Sequence, residues 1–306
     1  MNHLTFAPDL IEEAVLLAEH AVMRRRDARA FRQDRDRLYG VTNDRERESG
    51  FRTLHLKYFS DLGLGTIVAD VLRERCEVTS RVEGCRVVRA FGGRDEGADL
   101  ADILAGGRDV FTLVLRLCPA TLVGLPERLS ALLHHELTHV ADMLDPAFGY
   151  RRELPPSSDG PSADNILRDR YRVLWDTTID GRMARAGRAP ATAWESRWRE
   201  FALTFGMLDD DCRAAFRRWF AEDRPRHEDF LAFATAPGGA GARNSGRCPI
   251  CRFPVFALDP RAGTMSDAVA DAIRADQPQW RVGEGLCSQC FDLYEARYEE
   301  RHAATH

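Results

Sequence analysis

The segment from Pro126 to Pro146 constrains this chain more than any other. Leu129, Leu132, Leu133, Leu137, Val140 and Leu144 recur within it at helical spacing and give the segment a buried stripe. Pro126 and Glu127 suit a first helical turn. Pro146 holds Asp145 extended, so the helix must stop near Leu144. Inside this helix the chain reads His134-His135-Glu136-Leu137-Thr138-His139. Positions four apart share a helix face, so the His135 and His139 rings can grip one metal ion together. Glu136 then stands beside that ion, where a carboxylate can take a proton from an attacking water. The three fixed residues of this pattern would arise by chance in roughly a few per cent of chains of this size. Their place on a helix with defined ends gives the spacing geometric meaning, and it points to metal-dependent hydrolysis with Glu136 as general base.

Two imidazoles do not complete such a site, because a catalytic zinc takes three protein ligands and keeps one position open. Asp176 and Asp180, in Trp175-Asp-Thr-Thr-Ile-Asp-Gly181, share one face of a later helix expected over 166–186. One can ligate while the other holds a ligand imidazole by its second ring nitrogen. Asp176 is the preferred third ligand, with Asp180 and Asp145 as alternatives; helix capping accounts for Asp145 equally well. Asp142 lies about 10.5 Å along the helix axis from His135, too far to share the ion, and is expected at the surface or supporting a ligand from outside. Tyr150, Arg151 and Tyr171 are candidate donors to a developing oxyanion.

The cysteines describe a second metal site. Cys248-Pro-Ile-Cys251 and Cys287-Ser-Gln-Cys290 are two C-x-x-C knuckles, which together supply a tetrahedral four-cysteine structural zinc site. The 35 residues between them exceed the usual ribbon spacing, so the module carries an insertion. Cys76, Cys85, Cys118 and Cys212 stand alone and read as reduced, buried thiols.

The chain has 306 residues, 44% hydrophobic and 30% charged, which suits a globular protein of one large or two smaller domains. No run of about 18 apolar residues occurs, and Met1–Asp9 lacks the features of a signal peptide. A cytoplasmic protein without membrane contact is the expectation. From Arg243 onward eight arginines face nine carboxylates, so the cysteine module presents no footprint for phosphate. It is expected to meet a protein partner rather than nucleic acid.

Helical patterning is expected over 9–38 and over 51–75, the latter broken near Gly63 and Gly65. Val82–Phe91 reads as a strand. In Phe111–Leu117 apolar and other residues alternate as in a half-buried strand. A loop follows at 155–161, then helices to 234. The expected organisation is a helical region 1–75, a catalytic domain 76–235, a linker 236–247 and a four-cysteine module 248–306. The fold class is α+β, mainly helical, with a small mixed sheet and a small C-terminal zinc-ribbon-like module.

Residues 80–185 resemble the zincin metallopeptidases, on the His135-Glu136-x-x-His139 helix, the strands before it and the helix carrying Asp176 and Asp180 after it. The gluzincin branch is the closer likeness, with Asp176 where that family has glutamate; Asp145 instead matches metzincin spacing. A C-terminal module with four zinc-binding cysteines also gives a distant architectural likeness to the SprT-like proteases. The resemblance implies one catalytic and one structural zinc, a peptide or protein substrate, and a strand near the metal helix able to pair with an extended substrate. The strand over 111–117 is the candidate for that role. The competing reading is a zinc-binding scaffold, or a zinc-ribbon protein binding protein or nucleic acid, without catalysis.

Overall fold

A computed structural model describes residues 3–105, 108–156, 161–208, 211–237, 246–251, 254–255 and 258–303. Residues 157–160 of the expected loop and 238–245 of the expected linker lie outside the described residues. The chain divides into two compact units. One comprises Met1–Arg151, Trp175–Arg197 and Trp219–His227, the other Arg152–Leu174, Trp198–Arg218 and Glu228–His306.

The first unit opens with β1 (His3–Phe6), then α1 (Pro8–Ala21), α2 (Arg25–Tyr39), α3 (Asp44–Asp61), α4 (Thr66–Glu74) and α5 (Cys76–Thr79). The helical pattern over 9–38 is two helices rather than one, parted at 22–24. The break near the two glycines is where the sequence puts it: Gly63 adopts φ +65°, a conformation only glycine enters without strain. Asn43 caps α3 by accepting from the amides of Arg45 and Glu46.

Next come β2 (Val82–Arg89), β3 (Gly97–Ala105), β4 (Arg108–Leu117), α6 (Pro119–Val123) and α7 (Pro126–Leu144). The sheet order is β1-β2-β4-β3, with β1 and β4 parallel to β2 and β3 antiparallel to β4. This corrects one expectation. The alternating strand over 111–117 is interior, bonded on both sides, and cannot accept a substrate strand. The two edges are β1, beside β2, and β3, beside β4.

Leu113, Leu115 and Leu117 of β4 and Leu129, Leu133, Leu137 and Val140 of α7 are buried in one hydrophobic core. Each such side chain contributes roughly 1.5–3 kcal/mol on burial. Residues of α1, α3 and α4 enter the same core, so it is continuous across residue 76. With this face of α7 committed to the core, the His135–His139 face is left to meet the next helix.

That helix is α8 (Pro161–Arg185). Its Val173–Ile179 stretch is buried on all sides, Thr177 and Thr178 included. Gly181 allows a backbone approach that no other residue would permit. A Cβ there would lie 1.8 Å from the carbonyl oxygen of Phe220 in α10 (Asp211–Ala221), which follows α9 (Ala193–Phe205).

The second unit gathers Phe201, Phe205 and Phe216 of α9 and α10 with Phe230 and Phe233 of α11 (His227–Thr235). It ends in a short hairpin, β5 (Gly246–Arg247) with β6 (Pro254–Val255), and helices α12 (Asp267–Asp276) and α13 (Ser288–Ala303). The insertion between the knuckles therefore carries the helix α12. Val269, Ala270 and Ile273 of α12 are buried against Cys248, Cys287 and Cys290. Among the described residues no helix is long and apolar enough to cross a membrane.

Candidate metal centres

On α7 the His135 and His139 ring centroids lie 5.1 Å apart. Both rings turn toward α8. His139 Nε2 stands 3.0 Å from Asp176 Oδ1, and His135 Nε2 stands 3.6 Å from the same oxygen. Donor atoms of His135, His139 and Asp176 all fall within 4.8 Å of one another. Ligands at about 2.0–2.1 Å around a tetrahedral zinc are separated by about 3.3 Å, so this donor set matches the ion in type and in size. Asp176 reaches both histidines despite its short side chain.

Asp180, one turn later, takes the other side of His135: the Nδ1–H donates to Asp180 Oδ1 at 2.9 Å. This bond fixes the tautomer and leaves Nε2 for the ion. Asp145 does not join the group. It caps the end of α7, its Oδ1 accepting from the Ala147 amide at 2.9 Å. Asp142 is buried rather than exposed. It accepts from both terminal nitrogens of Arg182, at 2.8 and 2.6 Å, and from Trp175 Nε1 at 2.7 Å. Trp175 in turn meets His139 edge-on at 4.6 Å between ring centroids. Asp142 is thus linked to the His139 ring through Trp175 and lies outside the His135–His139–Asp176 group.

The electrostatics follow from burial and pairing. Burial alone would push the His135 pKa down, but bonds and charge from Asp176 and Asp180 outweigh it and raise it to about 10. Burial likewise raises the two carboxyls, and the histidines together with Arg197 more than reverse this, holding Asp176 well below the usual range and Asp180 below it. The carboxylates are charged and the site attracts cations, protons and metal ions competing for one nitrogen lone pair.

Glu136 is held from the sheet. Its Oε2 accepts from the Ala98 amide of β3 at 3.0 Å. Gly97 makes room for it, since a Cβ there would sit 3.3 Å from that oxygen. Of the candidate oxyanion donors, Tyr150 lies against Trp175 with centroids 5.6 Å apart, Tyr171 is buried edge-on to Phe230, and Arg151 is exposed.

In the second unit the four knuckle cysteines converge. Cys248 Sγ lies 3.9 Å from Cys290 Sγ, and Cys251 Sγ 3.8 Å from Cys287 Sγ. Thiolates at about 2.3 Å around a tetrahedral zinc are separated by about 3.8 Å, far longer than a disulfide. Burial raises the Cys248 pKa, but backbone amides of Cys251, Cys287 and Ile250 outweigh it and bring the thiol down to about 7. Amides aimed at one sulfur favour the thiolate that a metal needs.

Comparison with protein families, with curated proteins and with solved structures finds no match to this chain. The chemistry of the two centres therefore rests on their own geometry. Two groups of side chains able to hold metal ions occur among the described residues, one of two histidines and an aspartate, the other of four cysteines. The participants that sequence patterning did not single out are Arg197, Arg182, Gly97 and Ala98. Each lies far along the chain from the residue it serves, and none belongs to a motif.

Proposed function

We propose that this chain is a zincin-like, zinc-dependent metallopeptidase with a separate structural zinc on its C-terminal cysteines. The observation carrying this reading is the convergence of His135 Nε2, His139 Nε2 and Asp176 Oδ1, with the next residue on the helix, Glu136, tethered to an edge strand. Two imidazoles and one carboxylate are a donor set of catalytic zinc, whereas four thiolates form a closed structural site. The likeness to gluzincins extends to the roles of the second helix, with Asp176 as ligand and Asp180 orienting His135.

A divalent ion held by these three residues would supply an acidified water and polarise a carbonyl oxygen. The rest of the chemistry belongs to the chain. Glu136, its carboxylate oriented by the Ala98 amide, accepts the proton of the attacking water and hands it to the leaving amine. Asp180 keeps His135 in the ligating tautomer.

The test is cleavage of a peptide library by the zinc-loaded chain, with and without chelator, beside Glu136→Gln. Chelator-sensitive cleavage by the wild type and none by the variant is the expected result. A fully loaded wild type that cuts nothing returns the chain to the scaffold reading.

A further inference from the structure

The two carboxylates on α8 divide their oxygens in the same way. Asp176 turns Oδ1 toward His135 and His139, and Asp180 turns Oδ1 toward His135 Nδ1. The remaining oxygen of each meets one residue of α9. Arg197 Nε donates to Asp180 Oδ2 at 2.7 Å, and Arg197 Nη1 donates to Asp176 Oδ2 at 3.1 Å. The three side chains are only 11–15% exposed. A guanidinium is planar and presents its donors as a rigid fork, so it fixes the spacing between the two carboxylates as a lysine ammonium could not.

We propose that Arg197 is a positioning residue of the His135–His139–Asp176 centre, restricting Asp176 to ligation through one oxygen. A carboxylate can ligate through one oxygen or through both. If Asp176 used both, it would take up the position that a hydrolytic site keeps open. With Oδ2 committed to Arg197, only Oδ1 is left to face the ion. The same fork ties Asp180 to Asp176, so the ligand and the residue that orients a ligand move together. Coulomb repulsion acts in the opposite sense, because a guanidinium beside a dication weakens binding. The direction in which affinity changes on removing Arg197 therefore separates positioning from mere charge balance.

This inference rests on the metal-centre reading above, and one experiment keeps the two distinguishable. The full-length chain is prepared with zinc on the cysteines and cobalt(II) titrated into the second centre. Affinity is measured by chelator competition, the visible cobalt absorption reports coordination number, and thermal melting confirms folding. Arg197→Gln, and Arg197→Lys with the charge kept, should each bind cobalt about 10–100-fold more weakly, the usual size of such supporting contacts. Their cobalt absorption should also weaken as Asp176 closes onto the ion with both oxygens. Asp180→Asn disturbs both the Arg197 Nε bond and the His135 Nδ1 bond and should lower affinity in the same sense, which keeps the test usable if either arginine variant melts early. Unchanged spectra, or tighter binding in Arg197→Gln, would overturn the role of Arg197 while leaving the centre in place. A wild type that takes up an ion only at its cysteines overturns the centre itself, and this inference with it.

Discussion

The Oε2 oxygen of Glu136 lies 3.0 Å from the amide nitrogen of Ala98, joining α7 to the edge strand β3 across 38 positions of the chain. Gly97 makes this contact possible, since a Cβ at that position would stand 3.3 Å from the same oxygen. Gly97→Ala should therefore leave both metal centres loaded while displacing the carboxylate by a few tenths of an ångström. Misplacement of a catalytic group by about 1 Å can cost 10²-fold, so a loss of roughly 10-fold in peptide hydrolysis is expected. An unaltered rate would mean that Glu136 does not need its tether.

Glu136→Gln removes the proton acceptor but keeps the side chain's shape and its ability to accept from Ala98. Hydrolysis should fall by about 10²–10⁴-fold. Metal content, read by atomic emission, should remain near two equivalents. A variant that retains full activity would take the general-base role away from Glu136.

The three candidate carboxylates predict three different outcomes. Asp176→Ala removes a donor from the centre and should lose one metal equivalent on dialysis. Asp180→Asn should retain the metal with affinity lowered about 10–100-fold, because Asp180 orients His135 and Arg197 without ligating. Asp145→Asn should match the wild type in affinity, since its Oδ1 serves the Ala147 amide. Equal losses at positions 176 and 145 would contradict the assignment.

Much of this site is legible in the sequence. Two prolines bound α7 to the residue, and i to i+4 spacing places His135 with His139 and Asp176 with Asp180. The sheet is less legible. Alternation marks β4 as a strand, but it says nothing of which strands flank it. β3 escapes notice because Gly97, Ala98, Asp99, Ala101, Asp102 and Ala105 are all poor strand formers. The strand chosen from its alternation to pair with substrate thereby proves to be interior. The break between α1 and α2 has no glycine or proline to announce it. Arg197 is invisible for a different reason. Its partners lie 17 and 21 positions back on another helix, and α9 carries a second arginine, Arg199, two positions on with nothing in the pattern to tell them apart.

Asp142 should prove more costly to lose than its position outside the ligand set suggests. It is buried, holds Arg182 by a two-point ion pair and accepts from Trp175. Removing one partner of a buried pair leaves the other uncompensated, at roughly 3–5 kcal/mol. The Arg182 side chain is 20% exposed, so the lower end applies and Asp142→Asn should cost about 3 kcal/mol by urea unfolding. A loss below about 1 kcal/mol would place this pair among the surface bridges.

His55 gives the first unit an acid sensitivity that is independent of metal. It is buried between Phe31 and Phe51, with ring centroids 6.0 and 6.2 Å away, and its Nε2 has no hydrogen-bond partner among the described residues. Burial lowers its pKa from 6.5; Glu12 opposes this and Arg35 adds to it. The unfolded chain therefore binds the proton more readily than the folded one. By linkage, stability is full above pH 6.5 and falls as pH drops from there through the lowered folded value. Phenylalanine can occupy the same aromatic stack without titrating. Between pH 7 and about 5, the urea midpoint of wild type should therefore fall further than that of His55→Phe. Because His134 and the carboxylates titrate in both proteins, the difference between the two curves isolates His55. Parallel curves would show that the imidazole is protonated as easily inside the fold as outside it.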